Sequence, residues 1–122
     1  YMVSEEMRQL RRILRYRNLL VSEAIRMKNK TAGLLMEVGA EYNKQRLHGK
    51  RYFNALLDGL EDVPESLLDL LRLTHSNVKI FEDNQKRLIR YLVEHPTMRE
   101  RIVKLMSIPG VGEVTALTWA LE

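Results

Sequence analysis

Basic side chains are the residues of this chain best placed to do chemistry. Between Arg8 and Arg51 stand 12 lysines and arginines against 3 acids, a local balance of +9. From Asp62 onward, 8 basic residues face 9 acidic ones, a balance of −1. The positive charge is therefore concentrated in one half, and a surface of that kind attracts a polyanion. Arg8, Arg12 and Arg15 fall on one helical face, with Arg11 beside it; Lys28, Lys30, Lys44, Arg46, Lys50 and Arg51 continue the run. Tyr16, Tyr42 and Tyr52 interleave with these charges, and their rings could stack on unpaired bases. The same residues could equally form the solvated face of a coiled coil. Three acids leave few cross-helix partners, which favours contact with nucleic acid.

A second candidate lies near the end of the chain, at Ile108-Pro109-Gly110-Val111-Gly112, followed by Val114, Thr115 and Ala116. It reads as a helix, a two-glycine hairpin and a second helix. Glycine lets a backbone turn tightly and approach another surface closely. The amides of such a turn, with the free N–H groups opening the next helix, form a concave seat for one phosphate group. Gly110, Val111 and Gly112 are its candidate contacts, and this helix-hairpin-helix pattern grips a backbone without reading bases. The competing reading is a tight connector between two packed helices.

Little points to catalysis. His48, His75 and His95 are far apart, and none lies near a second metal-ligand candidate. The acidic pairs Glu5-Glu6, Glu61-Asp62 and Glu82-Asp83 are sequence neighbours, which point to different sides of a helix. The serines lack a nucleophile elbow, and no phosphate loop ends in Gly-Lys-Ser or Gly-Lys-Thr. We therefore assign no catalytic residue, no metal ligand and no cofactor site.

The elements that must position these residues are helical throughout, since no alternating strand pattern occurs. Apolar residues recur helically from Val3. Met7, Leu10, Leu14, Val21, Ala24, Leu35, Val38 and Tyr42 share one heptad seam, with Arg17, Lys28 and Thr31 as its polar members, and Ile13, Leu20, Met27 and Leu34 form a stripe beside it. A helix from Ser4 to about Leu47 would be about 65 Å long. Gly33 and Gly39 weaken it, and a break near Gly39 fits. Leu47-His48-Gly49-Lys50 reads as a break, and Arg51 to Leu60 as a short helix with Phe53, Leu56, Leu57 and Leu60 inward. Asp62, Pro64 and Glu65 form a start signal for a helix to about His95. In it Leu67, Leu71, Thr74, Val78, Phe81, Gln85, Leu88 and Leu92 repeat in a heptad seam. Pro96 stops it, and Thr97 with Glu100 offers a capping box for the helix entering the hairpin. There Ile102, Leu105 and Met106 should pack against Val111, Val114 and Leu117.

The expected fold is all-α: a long antiparallel coiled-coil arm over 1–95, then a helix-hairpin-helix element over 96–122. Such an arm exposes part of its wide apolar face, so a homodimer is expected, with Leu67, Leu71, Val78, Phe81, Leu88 and Leu92 at the interface. At 122 residues the chain is about one domain long, and 30% charged residues suit solvated helices. It contains no cysteine, so disulfides and thiolate metal sites are excluded. No apolar run approaches the length of a membrane span and no signal peptide is visible. A start at Tyr1 and a stop within a helical pattern read as an excerpt of something larger.

Several stretches resemble the middle of transposases of the insertion sequence 110 family, the RuvC-like type with acidic metal ligands. They are Arg15-Tyr16-Arg17-Asn18-Leu19-Leu20-Val21, Met27-Lys28-Asn29-Lys30, Gly33-Leu34-Leu35-Met36-Glu37 and Tyr42-Asn43-Lys44-Gln45-Arg46-Leu47. To these the closing hairpin and Thr115-Ala116-Leu117-Thr118-Trp119-Ala120-Leu121 are added. The resemblance implies an upstream metal-binding domain, a coiled-coil segment, and a downstream transposase domain with a catalytic serine. This chain corresponds to the coiled coil and the opening of the last domain. The divalent metal and the serine belong to parts outside it, so no catalytic role passes to these residues. The implied partners are DNA, a structured guide RNA and a second copy, without a membrane. The implied location is the bacterial cytoplasm, at the nucleoid. The competing reading is a purely structural oligomerisation module.

Overall fold

A computed structural model of the protein describes residues 4–122; Val3, where the apolar pattern begins, and the opening Tyr1 lie outside the described residues. The fold is all-helical. Its elements are α1 (Glu5–Glu37), α2 (Lys50–Asp58), α3 (Glu65–Glu94), α4 (Pro96–Met106) and α5 (Glu113–Leu121). α1 packs against α3. The chain divides into two compact units. One combines residues 1–22 with 82–122; the other is 23–81.

Helix boundaries follow from local chemistry. Ser4 caps α1: its Oγ accepts from the Met7 amide at 3.2 Å, and Glu5 and Glu6 place negative charge at the positive end of the helix. The far end falls at Glu37, at the break the sequence allows near Gly39, so the helix does not run on to Leu47. Gly39 takes a left-handed φ of 67°. The Ala40 amide donates to the Leu35 carbonyl at 3.1 Å, and the Gly39 amide to the Met36 carbonyl at 3.1 Å. These two bonds form a Schellman motif, and Ala40 closes it by packing on the core around Leu35. In the following loop Asn43 Oδ1 accepts from the Gln45 and Arg46 amides at 3.0 and 3.2 Å, a local turn that competes with helix.

The start of α3 also differs from the expected cap. Asp62 sits in a left-handed conformation, φ 56°, and the carbonyl of Pro64 accepts the first helical bonds from Leu67 and Leu68. At α4, His95 replaces the expected Thr97–Glu100 box. Its Nδ1 accepts from the Thr97 amide at 3.2 Å, with Pro96 in the first turn. The Thr97 hydroxyl instead donates to Glu6 of α1 at 2.7 Å.

In the first unit, Leu10 and Leu14 of α1 share a core with Leu92 of α3, Met98 and Ile102 of α4, and Ala116, Leu117 and Leu121 of α5. Further along α1, the Leu20 carbonyl accepts from Gln85, further back along α3, at 3.2 Å; the two helices thus run antiparallel. In the second unit, Leu34 and Leu35 of α1, Leu47, Phe53 and Leu57 around α2, and Leu71 of α3 form a separate core. Thr31 meets Thr74 there at 2.9 Å. Each buried leucine contributes about 2 kcal/mol by leaving water.

This burial already covers part of the expected dimer interface within one chain. Leu71 and Leu92 are 0% exposed and Val78 is 2% exposed within a single chain, while Leu67, Phe81 and Leu88 are half-buried. The heptad seam of α3 faces the chain's own interior, so Leu71, Val78 and Leu92 are not free to meet a second copy. The apolar residues that do remain outside on this part of α3 are Leu70, Leu73 and Ile80, at 48%, 58% and 54% exposure.

Candidate nucleic-acid interface

The first turns of α1 place Arg8, Arg11, Arg12 and Arg15 around one shallow surface depression, because positions three and four apart are neighbours on a helix. They are not equivalent. Arg15 forms a two-pronged pair with Glu122, Nε to Oε1 and Nη2 to Oε2, both 3.0 Å. That bonding raises the Arg15 pKa and holds the Glu122 carboxyl below its ordinary range. Arg11 Nε donates to the carbonyl of Leu121, one of the acceptors a helix end leaves open. Arg8 lies 3.8 Å from Glu5 in an exposed contact. Arg12 is exposed. Two of the four arginines therefore bind the end of α5 and the residue after it, leaving Arg8 and Arg12 as the more available cations. Counting acids between Arg8 and Arg51 missed this, because the partner lies 107 positions away.

The other basic candidates belong to the second unit. Lys30 is exposed on α1, Lys28 is half-buried, Lys44 and Arg46 stand in the loop, and Lys50 and Arg51 open α2. Arg46 lies over the Tyr52 ring, 5.4 Å from its centroid, and the Tyr52 hydroxyl accepts from the Asn43 amide at 2.6 Å. Tyr42 packs against the core. Of the three tyrosines, Tyr16 is the one most open to solvent, at 57%.

The hairpin is a turn built by Pro109 and Gly110. The Val111 amide donates to the Ile108 carbonyl at 3.2 Å, and Gly110 has φ 84°, the arrangement of a type II turn. Val111 anchors the hairpin on the core with Leu105. Met106 departs from its expected inward place and is 40% exposed, because it follows Leu105 around the helix, away from the packed face. Val114 is half-buried.

Gly112 differs from Gly110. Its φ of −91° and ψ of −178° are open to any residue, and a Cβ there would meet nothing within 4 Å. The sequence pattern offers both glycines as turn residues; only Gly110 takes a turning conformation. Gly112 caps α5 without a side-chain bond, so the first amides of the helix lack the usual capping acceptor.

The histidines have structural places. His95 caps α4, and His75 stacks on Phe53 at 4.1 Å with Nε2 3.1 Å from the His48 carbonyl. Among the described residues no group of three or more His, Cys, Asp or Glu is placed to hold a metal ion. No helix among them is long and apolar enough to cross a membrane. Compared with family models, with curated proteins and with solved structures, the chain has no match.

Proposed function

We propose that this chain is the non-catalytic middle of a DNA transposase that mobilises an insertion sequence, and that its first unit grips the nucleic-acid backbone. The observation that carries the reading is Gly112. Neither its backbone angles nor its surroundings require a missing side chain, yet it stands bare at the start of a helix whose amides are open. Close approach of an external phosphate is a physical reason for a glycine there. Arg8 and Arg12 add long-range attraction on the same unit, and contacts of this kind position a protein on nucleic acid without reading sequence. The family resemblance supplies the DNA, the guide RNA and the nucleoid setting. The resemblance assigns the metal and serine chemistry of such a transposase to other domains, not to these residues.

The test is Gly112→Ala, read by binding to a DNA duplex. Affinity should fall severalfold while the thermal midpoint stays within experimental scatter. Unchanged affinity would favour the connector reading of the hairpin.

A second reading, oligomerisation, is favoured by Leu70, Leu73 and Ile80, which stand exposed along one helix. It is compatible with the first, and it places the contact beside the buried seam rather than on it.

A further inference from the structure

The first unit contains a second cationic seat that the hairpin and the Arg8–Arg15 cluster do not include. It is an open cavity of about 460 Å³ between α1, α3 and the start of α5, within the size range of small-ligand sites. Arg17 of α1 and Lys86 and Arg90 of α3 line it, and Glu113 and Val114 of α5 close one side. Lys86 and Arg90 are four residues apart, so they stand side by side on their helix. Glu94 and Glu113 also line the cavity. Among the described residues, none of the three cations forms an ion pair with either acid.

Arg17 carries the most telling atom. Its Nη1 donates to Asn18 Oδ1 at 3.0 Å, but its Nε is buried and has no acceptor. Buried donors are almost always bonded, so an orphan one on a residue that lines the cavity leaves an acceptor due nearby. Lys86 and Arg90 line the same space, beside Glu113 and Val114 in the first turn of α5. An anion with several oxygens answers all of them at once, and phosphate is the anion whose geometry suits arginine best.

We infer that this cavity seats a phosphodiester of the DNA backbone, next to the seat proposed at Gly112, with Arg17, Lys86 and Arg90 as its ligands. Glu113 follows Gly112 directly in the chain, so the two seats are continuous. The inference rests on the reading of the first unit as a backbone grip. The two acids moderate the positive charge, which suits a singly charged phosphodiester over a free, doubly charged phosphate.

The test is a salt series of duplex binding, followed by fluorescence anisotropy, for the chain and for K86A/R90A. Both positions are exposed, so the variant should keep its helical circular dichroism. R17A, which touches a buried atom, serves as a second variant with thermal melting alongside. Each lost phosphate contact should lower the slope of log affinity against log salt by about 0.9, so K86A/R90A should lose about 2 units of slope. Its affinity at low salt should drop at least tenfold. If the unaltered chain binds duplex and K86A/R90A matches it in both measures, this seat is wrong and the backbone grip at Gly112 stands. Titration with pyrophosphate, followed by the amide resonances of Glu113 and Val114, forms the second arm. Saturable pyrophosphate binding without any duplex binding overturns the DNA assignment and the wider reading together.

Discussion

Thr31 and Thr74 meet hydroxyl to hydroxyl, 2.9 Å apart, where α1 and α3 bury their faces in the second unit. Thr31 Oγ1 also lies 3.0 Å from the Met27 carbonyl, and Thr74 Oγ1 lies 2.9 Å from the Leu71 carbonyl. Each hydroxyl has one proton, so two of these three contacts carry a donated hydrogen at any moment. The pair places a buried polar contact among the leucines of the core and fixes the register there. Thr31→Val alone should cost about 1 kcal/mol, and so should Thr74→Val, because each strands part of its partner. The double replacement should cost less than the two added together. Urea unfolding in a double-mutant cycle measures the coupling; strict additivity would mean the hydroxyls act independently.

The seam of α3 makes a contrasting pair of predictions. Leu71→Ala should lower stability by about 2–5 kcal/mol through lost packing, with no change in oligomeric state. Leu73→Asp with Ile80→Asp should do the reverse, leaving the fold intact and shifting any oligomer toward monomer. Denaturant midpoints and sedimentation velocity on the same samples separate them. Dissociation caused by Leu71→Ala without loss of folding stability would contradict the intrachain placement of this residue.

Acid should weaken the junction between α1 and α5. The Glu122 carboxyl titrates below its ordinary range because Arg15 bonds its charged form. A lowered carboxyl pKa stabilises the fold above the unfolded-state value, and that contribution disappears as the pH falls through the folded-state value. The thermal midpoint of the chain should therefore exceed that of Glu122→Gln at neutral pH, by a small margin because both groups are exposed. The difference should shrink as the pH falls below the ordinary range for a glutamate. A gap that persists or widens in acid would contradict the pairing.

Gly110 should behave unlike Gly112. Gly110→Ala forces a side chain into left-handed backbone, φ 84°, and should cost about 1 kcal/mol in stability. Melting of both alanine variants, run together with duplex binding, should place the stability loss at Gly110 and the affinity loss at Gly112. A stability loss at Gly112 would show that the fold, and not a ligand, requires that glycine.

Much of the fold was legible from periodicity. The seams through Leu10, Leu14, Thr31 and Leu35 and through Leu71, Thr74, Val78 and Leu92 are the faces the structure buries. Periodicity could not say whether α3's seam meets the same chain or another, because one heptad pattern serves both. It also overran the end of α1, since Tyr42 and Leu47 keep an apolar spacing while Gly39 and the Asn43 turn take the backbone elsewhere. The basic cluster at Arg8–Arg15 was visible, but its tie to Leu121 and Glu122 was not, as it depends on tertiary folding. The cavity lined by Arg17, Lys86 and Arg90 was hidden for the same reason. Its residues come from helices remote in sequence, and Arg17 read as a polar interruption of the α1 seam.

The most direct measurement is the affinity of the 122-residue chain for a DNA duplex across rising salt, beside Arg8→Ala with Arg12→Ala. A backbone grip predicts binding that weakens steeply and linearly in log salt, with a shallower slope and lower affinity in the double variant. Binding indifferent to salt, or identical in the variant, would contradict it.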